Sequence, residues 1–209
     1  MQKLVRQRLD AFLRKHATKE RVLDIGSGGS SYEKYFPNRL TVDIDPARNP
    51  SIVANAEDLP FAEGEFTTIL STEMLEHVID PEKVMRELYR VLAPGGTLIL
   101  TTRFVYPLHD APYDYWRYTR PNLERLFSSF SSVYIEAEAG PLMTIGILFE
   151  RINMQCAVRG GKITKGVFFV LSRLLARMDW LVRISYDEIR RVHEVPEIIS
   201  SGYYVVAKK

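Results

Sequence analysis

The 209-residue chain has one cysteine, Cys156, so an intramolecular disulfide is excluded and a reducing compartment is the default. That cysteine stands among Ile152, Met154 and Ala157, which suits a packing residue better than a nucleophile. Long hydrophobic runs are lacking too. No uncharged apolar stretch reaches ~18 residues, so no transmembrane helix is expected. The opening MQKLVRQRLDAFLRKHA carries charges at helical intervals instead of an apolar core, so no secretory signal is expected. These absences point to a cytoplasmic chain, free or peripheral at the inner face of the membrane. Charge of one sign is scarce: 28 Lys and Arg meet 26 Asp and Glu, for a net +2. Without a broad basic face, no nucleic-acid partner is expected. What the chain does have is 46% hydrophobic and 26% charged residues, a globular composition. Its length fits one domain, 1–209, with room for an insertion.

Hydrophobic patterning predicts strands at 21–25, 39–45, 51–56, 65–72, 97–102, 132–139 and 202–209. Between them it predicts helices at 2–16, 30–36, 81–92 and 121–127, with Asp80 capping the third and Pro81 in its first turn. Strands alternating with helices imply an α/β fold: a doubly wound, mainly parallel, seven-stranded sheet. The first five strands are nearly all apolar, as strands covered on both faces should be. Ligands in such sheets bind beyond the carboxyl ends of the strands, so the stretches 26–31, 43–45, 55–58, 71–77 and 103–119 matter most.

VLDIGSGGS (22–30) places Gly26, Gly28 and Gly29 directly after the first strand. Glycines there accept positive φ and let backbone approach a ligand. A dinucleotide loop would read G-x-G-x-x-G, but its third glycine position is Ser31 here. Asp24 would repel a pyrophosphate and attract an ammonium or a sulfonium. Asp24-Ile25-Gly26-Ser27-Gly28 therefore suits S-adenosylmethionine. Asp43, ending the second strand in TVDID, suits a pair of ribose hydroxyls.

VLDIGSGGS, TVDIDP, ANAEDLPFAEGEF and STEMLEHVIDPEKVMRELYRVLAPGGTLILTT follow one another over about residues 20–102. In that order they resemble the class I S-adenosylmethionine-dependent methyltransferases, the type 11-like group that includes the ubiquinone/menaquinone-biosynthesis enzymes. The resemblance implies a Rossmann-like methyltransferase fold. It places Asp24, Gly26, Ser27 and Gly28 around the methionine part of the cofactor, Asp43 on the ribose and Ile44 against the adenine. Asn55 and Ala56 would meet the adenine edge, and Thr72 would lie near the methionine end. Many relatives have Asp at the position of Asn55, where an amide oxygen can still accept from the adenine amino group. They usually have Asp where Thr67 stands, a position that is mainly structural.

Glu73, Glu76 and His77 form E-x-x-E-H. On a helix the two carboxylates would share a face and could hold a hard cation. The expectation is no metal there, with the three residues supporting cofactor or substrate, or capping a helix. RFVYPLHDAPYDYWRYT (103–119) falls at the rim after the fifth strand. Tyr113, Tyr115 and Trp116 offer flat walls with polar tips, and Arg117 an orienting donor, for a substrate. His109 suits a proton acceptor, with Asp110 or Asp114 fixing its ring. The pattern P-x-H-x-x-P-x-D-Y-W-R-Y-T more narrowly resembles methyltransferases of bacterial cell-surface glycan and polysaccharide biosynthesis. It implies O-methylation of a sugar, a glycan precursor or another small hydroxylated substrate. A quinone-like ring is the alternative acceptor, and a non-catalytic S-adenosylmethionine-binding protein the rival of another class.

About sixty residues, 140–201, intervene before the last strand as an insertion with helices predicted at 141–158 and 166–184. Arg151 to His193 carries nine Lys or Arg against three Asp or Glu, a local +6 that leaves −4 for the rest of the chain. A second helix so apolar requires cover. An intramolecular lid, a homodimer interface and an anionic membrane surface, reached through 162–184, compete to supply it.

Overall fold

A computed structural model describes residues 3–29 and 32–209. Seven strands form one sheet in the order β3-β2-β1-β4-β5-β9-β6. They are β1 (Val22–Ile25), β2 (Arg39–Asp43), β3 (Ile52–Val53), β4 (Phe66–Thr72), β5 (Leu92–Arg103), β6 (Ser132–Ala137) and β9 (Gly202–Lys208). β1 pairs in parallel with β2 and β4, β2 with β3, and β4 with β5. Of these seven strands, β9 reverses direction. Lys209 N–H reaches Gly96 O at one end of β5 and Phe104 N–H reaches Ser201 O at the other, so β9 runs antiparallel to it. Two short strands outside the sheet, β7 (Ser185–Tyr186) and β8 (Glu194–Val195), form an antiparallel pair that the sequence pattern missed.

The chain winds outward from β1 to β3, then returns to β4 on the other side of β1. Between β1 and β4 the winding therefore reverses, the place where loops of doubly wound sheets generally diverge to admit a ligand. Asp24 near the end of β1, Asp43 ending β2, Thr72 ending β4 and Arg103 ending β5 all lie at this carboxyl edge.

The chain divides into two compact units. The larger comprises 12–103, 108–136 and 203–209 and holds most of the sheet. Its core includes Val22, Leu23, Ile69, Leu70, Leu98 and Leu100, all fully buried. Helix α2 (Pro81–Val91) buries Val84, Met85, Leu88 and Val91, the i, i+4, i+7 face of an amphipathic helix. Asp80 Oδ1 caps it by accepting from Lys83 N at 2.9 Å. Helix α3 (Arg120–Leu126) is capped in the same way by Thr119.

The smaller unit, 1–11, 104–107 and 137–202, contains the whole insertion. Helices α4 (Pro141–Gln155) and α5 (Gly161–Arg177) pair closely where Gly146 meets α5, since a Cβ there would stand 2.6 Å from Ser172 O. Arg173 reaches Glu150 at 2.6 Å, and the rings of Phe149 and Phe168 lie 5.3 Å apart. The Asp179 carboxylate accepts from Gly140 N and Met143 N, both at 3.0 Å, and so caps α4 from outside that helix. α5 starts five residues earlier than expected and stops at Arg177. A 3-10 turn (Asp179–Leu181) follows where the expected helix would continue to 184. On α5, Ile163, Val167, Val170 and Leu174 share one face and are exposed, Ile163 at 81%.

Helix α1 (Leu4–Lys15) confirms the expected face, with Leu4, Val5, Leu9, Phe12 and Leu13 buried. Gln2, the first residue of that expected helix, lies outside the described residues. The expected helix at 30–36 is not formed over 32–36. Tyr32 O accepts from Tyr35 N and Phe36 N in turns, and the three rings are buried. Ser30 and Ser31 lie outside the described residues. β3 stops at Val53, so Asn55 and Ala56 sit in the turn beyond it, where Asp58 N–H meets Asn55 O.

Candidate active site

At the end of β1 the chain turns sharply through Gly26, Gly28 and Gly29, all at positive φ. Gly26 is the position that most needs glycine. Its φ is +69°, and a Cβ would stand 2.3 Å from Met74 Cγ, on the loop after β4. Gly28 N–H donates to Asp43 Oδ2 at 2.7 Å, and Asp45 N–H to Asp43 Oδ1 at 3.0 Å. Asp43 thus fixes the glycine loop, and each oxygen keeps a further lone pair for a ribose hydroxyl.

Asp24 is fully buried and paired with the Arg39 guanidinium, whose other nitrogen reaches Glu33 at 2.8 Å. Its Oδ1 has no hydrogen-bond partner among the described residues. Burial pushes the Asp24 carboxyl up to about 6 despite the opposing pull of Arg39. A buried acceptor of this kind fits a cationic ligand group. Ser27 is buried, Ile44 is exposed, and Asn55 Oδ1 accepts from Glu57 N at 3.0 Å. Thr72 is buried, its hydroxyl 3.2 Å from that of Tyr32. The orphaned Asp24 oxygen, the glycine turn and the Asp43 carboxylate together fit S-adenosylmethionine.

After β4, Glu73 adopts φ +55°, rare for a residue with a Cβ. Its N–H is held by Thr101 O at 3.0 Å, and its carboxylate pairs with Arg103. Glu73 is therefore not on a helix with Glu76, as the spacing suggested; only a 3-10 turn (Leu75–His77) follows. Glu76 is fully buried, and its Oε2 accepts from Thr102 Oγ1 at 2.8 Å. Burial, reinforced by Glu73, pushes its carboxyl up to about 8 against the pull of Arg103.

The aromatic segment after β5 is sewn onto this turn. Tyr115 N and Trp116 N both donate to Glu76 O, at 2.9 and 3.1 Å. Trp116 Nε1 donates to Val78 O at 2.9 Å, Tyr118 OH to Leu75 O at 2.8 Å, and His77 Nδ1 to Tyr113 O at 2.7 Å. Parallel pairing of Thr72 with Thr101 makes this possible, because the loops after β4 and β5 leave the sheet side by side. Tyr118 is core, and burial pushes its hydroxyl pKa up. Tyr113, Tyr115 and Trp116 remain exposed at the rim.

His109 and Asp114 meet here. His109 Nδ1 is 3.2 Å from Asp114 Oδ2, and its backbone N–H donates to the same oxygen at 2.9 Å. Arg117 grips Asp114 with two nitrogens, at 2.6 and 2.7 Å. Burial would raise the Asp114 carboxyl, but Arg117 and the His109 N–H bring it down to about 2. Burial pushes the His109 imidazole below its usual range, only partly offset by Asp114. Asp110, the other expected partner of the ring, is exposed and in the left-handed region; of the two expected carboxylates, Asp114 is the one beside His109. Arg39, Arg103 and Thr102 were not singled out in the sequence. The signal for Arg103 was a charged residue closing a strand with no other charge.

The family model described as "Methyltransferase domain" matches residues 1–139. Over 97 residues the chain is 37% identical to the ubiquinone/menaquinone biosynthesis C-methyltransferase of Psychromonas ingrahamii, covering 44% of this chain and 38% of that one. An S-adenosylmethionine-dependent methyltransferase from Archaeoglobus fulgidus superposes with a TM-score of 0.60 at 16% identity, over 99% of this chain and 93% of that one. Phosphoethanolamine N-methyltransferase 2 of Haemonchus contortus, solved with S-adenosyl-L-methionine, gives 0.57 at 17%, over 98% of this chain and 52% of that one. The chain spans less than half the length of the curated relatives it matches. It belongs to the methyltransferase-domain family, with the Rossmann-like fold of a class I S-adenosylmethionine-dependent methyltransferase.

Proposed function

We propose that this chain catalyses methyl transfer from S-adenosylmethionine to a small hydroxylated acceptor, a quinol-like ring before a sugar. The observation that carries the reading is the His109 imidazole, buttressed by Asp114 and Arg117 and bordered by the exposed rings of Tyr113, Tyr115 and Trp116. Bound at the glycine turn, the cofactor supplies a methyl made electrophilic by its sulfonium. The chain's part is to position the acceptor and draw off its proton. A neutral His109 has a lone pair for that proton, and Asp114 stabilises the imidazolium. Loss of a ring hydroxyl's proton activates either its oxygen or the adjacent ring carbon. A sugar hydroxyl would meet the same imidazole, but none of the relatives reported above is named for a glycan substrate.

Calorimetry with S-adenosylmethionine and its demethylated product tests the cofactor reading, which fails if neither binds. Transfer of labelled methyl is then screened over quinols, nucleotide-sugars and glycolipid precursors. Transfer to sugars alone would restore the glycan reading, and binding without any transfer would favour a cofactor-binding protein. His109→Ala should leave cofactor affinity intact and lower turnover by ~10²-fold.

We read the exposed stripe on α5, flanked by Lys162 and Lys165, as a contact with an anionic membrane surface.

A further inference from the structure

Behind the aromatic rim, Glu76 Oε1 is buried and has no hydrogen-bond partner among the described residues. His109 Nε2 stands 4.0 Å from it. One potential ligand atom each from Glu76, His77 and His109 lies within 4.8 Å of the other two. His77 is held at its other side, with Nδ1 donating to Tyr113 O at 2.7 Å, while His109 Nδ1 stands at ion-pair distance, 3.2 Å, from Asp114 Oδ2. A ring nitrogen that gives its proton to a carbonyl or carboxylate leaves the lone pair on Nε2, as metal-bound histidines do. Glu76 Oε2 is anchored by Thr102, as ligating carboxylates usually are.

We propose that Glu76, His77 and His109 form a binding site for a divalent first-row transition-metal ion. This departs from the expectation that E-x-x-E-H holds no metal. The donor set also differs from the one the motif suggested, because Glu73 is committed to Arg103 and His109 joins from 32 positions beyond His77. Two imidazoles with a carboxylate suit manganese, iron, cobalt or zinc, whereas magnesium and calcium favour all-oxygen sites. Ligand atoms on a tetrahedral ion stand about 3.4 Å apart, so the gap between His109 and Glu76 closes by roughly half an ångström on loading. Three protein ligands leave a coordination position for an acceptor oxygen.

The site stands on geometry; its chemical use rests on the transfer reading above. A bound ion would make an acceptor hydroxyl more acidic; its proton would then pass to solvent instead of to His109, whose lone pair the metal would occupy. The acceptor oxygen or the adjacent ring carbon attacks the methyl, and the sulfur keeps the electron pair of the broken bond and becomes a neutral thioether. After carbon attack the ring-carbon proton leaves and the oxygen is reprotonated, so one proton is released by either route.

The test titrates the tag-free, metal-stripped chain with manganese, cobalt and zinc chlorides by calorimetry, with cobalt absorption as a second readout. One ion should bind per chain. His77→Ala and His109→Gln should each weaken binding by ~10-fold or more while keeping the circular-dichroism spectrum and cofactor affinity. Glu76→Gln should do the same; because it alters a fully buried group, the two histidine variants decide if it fails to fold. Asp187, Glu188 and His193 form a second, exposed cluster, and His193→Ala should leave binding unchanged. No saturable binding overturns the proposal, as does binding that survives both histidine variants or is lost with His193→Ala. A chain that binds S-adenosylmethionine but no ion keeps the transfer reading and loses this one.

Discussion

Asp43 is bonded to the protein and still suited to a ligand. Its two oxygens accept from Gly28 N and Asp45 N, so the residue expected to bind ribose also shapes the glycine loop. Asp43→Ala should therefore weaken cofactor binding by ~10- to 100-fold by calorimetry, more than loss of one neutral hydrogen bond would. Asp24 supplies a pH dependence. Its folded-state pKa, about 6, lies above the ordinary 3.8, so its ionisation costs the fold as pH rises from about 4 to about 6. A cation bound beside Oδ1 favours the ionised form, so cofactor affinity should fall as pH drops below about 6, by up to ~10-fold per pH unit. Binding measured from pH 5 to 7.5 should show that slope, and Asp24→Asn should flatten it. Asp114→Asn should lower turnover and leave cofactor affinity unchanged, because the amide no longer holds the His109 ring as a carboxylate does. The residues expected at the cofactor stood out in the sequence because glycines and acids directly after apolar strands have few other uses. Glu76 was legible only as part of E-x-x-E-H on an expected helix; its burial beneath the aromatic segment follows from the pairing of β4 with β5.

The elements were readable where local chemistry and burial agree. α2 has its Asp80 cap, its Pro81 start and one apolar stripe, and it forms at 81–91 as expected over 81–92. Asp80→Ala should cost about 1 kcal/mol by removing the acceptor of the Lys83 N–H, checked by thermal or denaturant unfolding. β1, buried throughout, was readable because cover on both faces makes a strand nearly all apolar. The 30–36 stretch misled because its aromatic spacing suits a helix, whereas Tyr32, Tyr35 and Phe36 reach the core from turns. α4 gave no cap signal of its own, since Gly140 has no side chain and the capping Asp179 arrives from 39 residues away. Long-range caps of this kind leave no local pattern.

For the molecule as a whole, the distribution of charge predicts more than its total. A net charge of +2 suggests indifference to anionic surfaces, yet Arg151 to His193 carries +6. The same stretch presents Ile163, Val167, Val170 and Leu174 along one helical face, with Trp180 75% exposed beyond it. No helix among the described residues is long and apolar enough to cross a membrane. An exposed apolar stripe with a basic flank has the make-up of an element that lies on a bilayer, where aliphatic side chains enter the headgroup boundary and lysines meet anionic lipid. Two forces would then act together, and salt separates them. Screening shortens electrostatic reach to ~10 Å at 0.1 M and ~3 Å at 1 M, while apolar insertion is not weakened. The chain should co-sediment with vesicles containing phosphatidylserine at low salt, lose most of that binding near 0.5 M salt, and bind neutral vesicles weakly. Val170→Glu should reduce binding at every salt concentration, whereas Lys162→Glu with Lys165→Glu should reduce it mainly at low salt. A stripe that serves a homodimer would instead give concentration-dependent mass in sedimentation velocity, sensitive to Val170→Glu and indifferent to lipid. A stripe that closes as a lid would give neither response, and Val170→Glu would then alter turnover alone.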